Sequence, residues 1–438
     1  TSAGYGWANF VLTISKTDPN TIYVGGHLLF KSTNNGVNWT LKTPNWYCCI
    51  HTDIRQLIFD PNDGTNTRML ASTDGGVFLS TDDAVNWSQL SNGLFCNQYL
   101  SMGQSNLNPD FVIGGLQDNG IIFNSPVDGN YHTYTGGDVY DHMTCDYTNA
   151  YNVYTSYSGG RVFNPYNRSQ VANLNLPSNI YTSGTANSRQ SFFISPLNPA
   201  IAYGWGTNVY RSSNVNSYNI ATNTSSVAWT QISTFSVTIR DVKISPVDNN
   251  VLYALGNNAT VYKSINATEA SPTFSAIALP GGASTSVEGS LTVSTLNPNV
   301  LYATANGAVY RSTNAGATWT NYTATGLPAI NFEKIFIDPY SSIESVYLIT
   351  TLGVYYRDLT MSSWSVVSPN TTALPQNSSA SYAGIINGAN LYKGTGSSNS
   401  HVSFSTWGSG IWKAGFYNQA TNALPTGWSS VDIGWPAV

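Results

Sequence analysis

The chain is 438 residues long, carries a formal net charge of −5, and is only 9 % charged, with 28 Tyr, 12 Trp and 38 Gly. It has no basic block to leave an electrostatic footprint for nucleic acid. No run approaches the roughly 20 apolar residues that cross a bilayer as a helix. Solubility must come from Asn, Ser and Thr, and the wealth of Tyr, Trp, Val, Ile and Thr suits pleated, half-buried surfaces.

Taken in chain order, the predicted strands repeat one unit nine times. A short apolar run ends in a polar anchor and a Pro/Asn turn follows, as in L-T-I-S (12–15), L-I-F-D (57–60), V-K-I-S (242–245) and I-F-I-D (335–338). The anchors are Ser15, Asp60, Ser105, Asp146, Ser195, Ser245, Ser294, Asp338 and Asn387, spaced by 41–50 residues. Seven to nine residues after each anchor a second run usually ends in glycine, as in Y-V-G-G (23–26) and V-I-G-G (112–115). A period near 45 built only from strands is that of a propeller, in which one unit is one four-stranded blade. The fold expected is therefore all-β: a single multi-bladed β-propeller over 1–418. Residues 419–438 are expected to be a linker or the start of a following β-sandwich module.

Three units continue into near-identical octapeptides: S-T-N-N-G-V-N-W (32–39), S-T-D-D-A-V-N-W (80–87) and S-T-N-A-G-A-T-W (312–319). An Asn or Asp in third place accepts bonds from nearby backbone N–H groups and folds the hairpin tip on itself. Gly36 and Gly316 supply permissive backbone. Trp39, Trp87 and Trp319 are expected to drop into the blade as apolar plugs. The pattern resembles the Asp-box of sialidases, sortilin-like receptors and xyloglucan-cleaving tandem propellers. That resemblance implies a structural role, on the face away from ligand, for Ser32, Asn34, Gly36, Trp39, Ser80, Asp82, Trp87, Ser312, Asn314, Gly316 and Trp319.

A wider set of segments runs in one order: 23–39, H-T-D-I-R-Q-L-I-F-D-P (51–61), S-T-D-G-G-V-F-L-S-T-D (72–82), G-G-L-Q-D-N-G (114–120), G-G-D (136–138) and S-T-W-G-S-G-I-W (405–412). Together they resemble the Asp-box propellers of large surface proteins of Bacteroidota, which commonly carry a sorting domain for Type IX secretion. The resemblance implies an extracellular or cell-surface module, a mature piece of a longer protein whose partners include its own further domains. Cys48, Cys49 and Cys96 follow octapeptide turns of adjacent units, and Cys145 lies further on. A bridge between the two loops and buried thiols are equally compatible with the four cysteines, whose pairing the spacing leaves open. No C-x-x-C or H-x-x-x-H spacing accompanies them.

Propeller geometry sends the loops entering the first strand of each blade, and those joining the second to the third, to one rim. His51, Asp53, Asp138 and Asp141 fall in the first class; Asp74, Gln117, Asp118, Asn119 and Trp407 fall in the second. These nine residues are the candidate ligand-binding set. Asp and Asn beside Gly are also what tight hairpins require, so Asp74 and Asp118 have turn chemistry as a competing role. No resident cofactor or metal site is expected, although carboxylates so placed can hold sugar hydroxyls directly or through a bound Ca²⁺.

Catalysis has less support. A glycosidase needs two carboxylates flanking one bond, and Asp53, Asp74, Asp118 and Asp138 are the only group that offers them. The arginine triad and Tyr/Glu pair of a sialidase have no counterpart, and no phosphate cradle or nucleophile elbow occurs. The sequence thus reads as a binding or adhesion propeller for glycan or protein, without nucleic acid or membrane insertion. The alternatives are a polysaccharide-cleaving glycoside hydrolase using the rim aspartates and a structural subunit of a surface assembly.

Overall fold

A computed structural model describes residues 10–430 apart from 44–48, 91–96, 126–130, 136, 140–142, 150, 157–158, 181–190, 282–288, 331, 351, 368–385, 407–409 and 417–428. Each sequence unit is one four-stranded antiparallel sheet, and the described residues include a 3-10 turn at Ser397–Asn399 and no α-helix. The nine sheets are called blades 1–9 and their strands A–D. In blade 1 strands A–D are Val11–Ile14, Ile22–Gly25, Leu29–Ser32 and Thr40–Leu41.

The anchors work locally. Ser294 Oγ accepts from the Leu296 and Asn297 amides at 3.2 Å each, turning the chain from strand A to strand B, and Ser105 does the same for Leu107 and Asn108. Asp338 serves the amides of Tyr340 and Ser341. Such side-chain caps satisfy the turn's orphan donors, which is why Ser and Asp interchange at this position.

The chain divides into two units, residues 1–97 with 433–438, and residues 98–432. The first holds blades 1 and 2, which pack face to face around Tyr23, Leu29, Leu57, Phe59, Met69 and Phe78. The second holds blades 3–9 and closes on itself. Successive cores join blade 5 to blade 6, blade 6 to blade 7 and blade 7 to blade 8, and strand A of blade 9 (Ile386–Tyr392) packs against strand A of blade 3 (Tyr99–Gln104). At that seam Asn390 Nδ2 donates to Met102 O at 3.3 Å and His401 Nε2 lies 3.3 Å from Gln104 Oε1. Gly388 is needed there, since a Cβ would come within 2.9 Å of Met102 Cγ. Residues 98–432 are therefore a seven-bladed β-propeller. The tail expected to be a linker supplies Ser429–Ser430 as strand D of blade 9.

A second device joins neighbouring blades. On the face turned toward the next blade, strand B carries Tyr and strand C carries Lys or Arg beside it: Tyr23↔Lys31, Tyr203↔Arg211, Tyr253↔Lys263, Tyr302↔Arg311. Each pair reaches across. Lys31 Nζ meets Asp83 at 2.5 Å, with the Tyr23 hydroxyl on the same carboxylate. Lys263 and Tyr253 both donate to Ala315 O, at 2.7 and 3.3 Å. Arg311 grips Glu344 with two bonds of 2.6 and 2.8 Å while the Tyr302 hydroxyl adds a third at 2.5 Å. Burial alone would raise the Glu344 carboxyl, but the Arg311 bonds and then that of Tyr302 outweigh it and hold it below its ordinary range. Blade 2 lacks the device: its corresponding row is Ile58, Leu70, Leu79 and Ser88. The division between the two units follows blade 2.

Candidate functional site

The octapeptide tips share one hydrogen-bond scheme. Ser32, Ser80 and Ser312 accept through Oγ from the amides of Gly36, Ala84 and Gly316 at 2.9–3.0 Å. Asn34, Asp82 and Asn314 accept from Asn38, Asn86 and Thr318 at 2.8–2.9 Å. Fourth and fifth places take positive φ, including non-glycine Asn35, Asp83, Ala84 and Ala315. The tryptophans differ. Trp39 and Trp319 both donate from Nε1 to the glycine three residues earlier, at 3.0 and 3.1 Å. Yet Trp319 is 7 % exposed, against the core of blades 6 and 7, whereas Trp39 is 43 % exposed and plugs nothing.

Of the nine candidate ligand-binding residues, Asp141 and Trp407 lie outside the described residues. The others fall into one set per unit. In the first unit, His51, Asp53 and Asp74 come from the entry to blade 2 and its B–C turn. Asp53 is buried at a φ of 63° and pairs with His27 of the blade 1 B–C loop. Asp74 is gripped by Arg55, Nε to Oδ1 at 2.6 Å and Nη2 to Oδ2 at 2.7 Å, with its side chain only 9 % exposed. His51 points its Nδ1 at Thr52 O, 2.9 Å away, and lies so close to Gly75 that any Cβ there would strike its ring. His27 and Arg55 thus complete the set, and Arg55 was not among the residues singled out from sequence.

In the second unit, Gln117, Asp118 and Asn119 form the turn between Val112–Leu116 and Gly120–Asn124, with Asp118 at a φ of 61°. The segment 137–139 runs alongside. Asp138 Oδ1 accepts from the Asp118 amide at 2.8 Å, Gly137 O from Gly120 at 2.7 Å and Leu116 O from Val139 at 2.9 Å. Gln117, Asp118 and Asn119 stand half-buried and Asp138 exposed on a backbone that this ladder already fixes. Gln117 Oε1 is buried with no hydrogen-bond partner among the described residues. Hard oxygen donors of this kind suit sugar hydroxyls or a Ca²⁺ ion.

Further round the same ring, sequence reasoning missed Asp241. Its carboxylate is buried on strand A of blade 6 and takes the Leu291 amide at 2.9 Å, Ser290 Oγ at 3.2 Å and the Lys243 ammonium. Burial would raise it, but Lys243 and then Lys334 hold it down. Its signal was an acid two residues before a base inside a strand whose buried apolar places are Ile239, Val242 and Ile244. Of the cysteines, Cys145 is a buried thiol whose ionisation burial suppresses, Cys49 is exposed, and Cys48 and Cys96 lie outside the described residues.

No protein-family model matches the chain, and no curated protein does. Among solved structures it is similar to the GH74 enzyme of Niastella koreensis, at 14 % identity and a TM-score of 0.39, over 96 % of this chain and 76 % of that one. It is also similar to a chain of the mitotic checkpoint complex, at 11 % identity and a TM-score of 0.47, over 72 % and 86 %. The chain is a β-propeller protein.

Proposed function

We propose that this chain is a binding or adhesion module of a secreted surface protein, recognising glycan or protein through the B–C rim loops. One observation carries the reading: three of the rim carboxylates, Asp53, Asp74 and Asp138, are committed to holding loops in place. Asp74 is gripped by a bidentate arginine, Asp53 lies against His27, and Asp138 anchors the Asp118 amide. A hydrolase needs one carboxyl to give up a proton and another to attack or to activate water. Carboxylates already engaged by an arginine, an imidazole or a backbone amide suit neither task, whereas a fixed polar surface loses little entropy when a ligand binds.

The test is a glycan array and polysaccharide panel scored for both capture and cleavage, with Asp118→Asn/Asp138→Asn beside wild type. Asn tolerates the left-handed backbone at 118 and keeps an acceptor oxygen at 138, so the fold should survive with the charge removed. The expected result is capture without turnover by wild type and weakened capture by the variant. Turnover by wild type that the double variant abolishes would make the protein a hydrolase instead.

A further inference from the structure

Each blade of the seven-bladed ring shares a core with both neighbours, whereas among the described residues one face of blade 1 is exposed. The face of blade 1 turned away from blade 2 carries the row Leu12, Val24, Phe30, Leu41, read across its four strands. The equivalent row of blade 7 is Leu291, Ala303, Tyr310, Asn321. Leu291 is fully buried there, packed with Ala303 and Tyr310 on Tyr253 and Leu255 of the preceding blade. Leu12 is 54 % exposed and its neighbour Ile14 49 %. The open Trp39 belongs to the same picture, because Trp319 owes its burial to the preceding blade.

The tip of blade 1 is open in the same sense. The fourth octapeptide place receives the Tyr and Lys of the preceding blade at Asp83 and at Ala315. In blade 1 that place is Asn35, which is exposed. We propose that the outer face of blade 1 seats a further propeller blade, carried by polypeptide outside these 438 residues, which presents Tyr on its second strand and Lys or Arg on its third to Asn35. Contact of this kind is the interface the chain already repeats, so the occupant's chemistry follows from it. A second copy does not meet the requirement. Its unlatched blade 2 offers only the aliphatic row Ile58, Leu70, Leu79, and the Tyr–base rows of its other blades are already engaged.

The missing latch can be written into the chain and tested on it. Leu70→Tyr/Leu79→Lys gives blade 2 the row that Asn35 awaits. Sedimentation velocity across the micromolar range should show a monomeric wild type and a self-associating variant, bound at least about tenfold more tightly, equivalent to roughly 1.4 kcal/mol. Adding Leu12→Glu/Ile14→Glu should return it to monomer. Leu12→Glu/Ile14→Glu alone should leave the thermal midpoint unchanged while lowering binding of an apolar dye, an arm that does not depend on the grafted variant folding. A graft that adds no association would overturn the proposal, as would a wild type that associates equally well. So would a sharp loss of stability in Leu12→Glu/Ile14→Glu, which would mean the face is already covered within the chain.

Discussion

Acidification should open the seven-bladed ring at one histidine. His401 is buried at the seam of blades 9 and 3, stacked on Tyr392 with centroids 5.0 Å apart and 3.3 Å from Gln104 Oε1. Burial, aided by the Lys413 charge and opposed by Asp110, lowers its value from 6.5 to about 4. The unfolded chain therefore takes up the proton first. Stability is whole above about 6.5 and is lost as pH falls toward about 4. A difference of that size is worth at most roughly 3 kcal/mol, since each tenfold change in proton affinity corresponds to about 1.4 kcal/mol. Asp241 and Glu344, both held below their ordinary values, act lower still. Asp338, raised by burial, is protonated more readily in the folded chain than in the unfolded one and so works in the opposite sense to His401. The assay is the ring proton resonance of His401 against pH, with hydrogen exchange at the seam amides 390 and 402–404 measured in wild type and His401→Gln. The seam should open progressively between the two values in wild type and show no such slope in His401→Gln. Titration of His401 near 6.5, or a slope that survives the substitution, would refute the reasoning.

The inter-blade latch and the tip tryptophans give two further expectations. Glu344→Gln should cost about 2–3 kcal/mol, the range for hydrogen bonds to charged groups, and Tyr302→Phe about 1 kcal/mol, with denaturant unfolding as the readout; equal losses would mean that Arg311 and Tyr302 do not share the carboxylate as described. Trp319→Ala should destabilise by roughly 3–5 kcal/mol as a buried aromatic truncation, whereas Trp39→Ala should cost well under about 1 kcal/mol. Comparable losses at both positions would show that Trp39 is covered in solution.

The blades were legible because their signals are local. An apolar run, a Ser or Asp that caps the following turn and an octapeptide that folds on itself each lie within a few residues, and each forms the bonds its chemistry implies. The candidate site was legible only in part, and for the converse reason. Asp74 looks like a turn residue or a ligand contact until Arg55, on the adjacent strand, closes on it. Asp53 looks like a solvated acid until His27 of the neighbouring blade reaches it. Partners in different strands or blades leave no mark in the period.

The same distinction applies to the contacts between blades. At four junctions, after blades 1, 5, 6 and 7, the link is the row behind the hairpin tip, where Tyr on strand B and Lys or Arg on strand C reach the next blade. Blade 2 keeps a full octapeptide, with Ser80, Asp82 and Trp87 in place, and still loses that row to Leu70 and Leu79. Its tip folds as the others do, since every bond it needs is internal. Its outward row is aliphatic, Ile58, Leu70 and Leu79, where blade 1 carries Tyr23 and Lys31. The base before the third-strand serine, Lys31, Arg211, Lys263 or Arg311, thus marks four polar junctions, whereas blade 3 has Asn124 at that place and joins blade 4 through an apolar core.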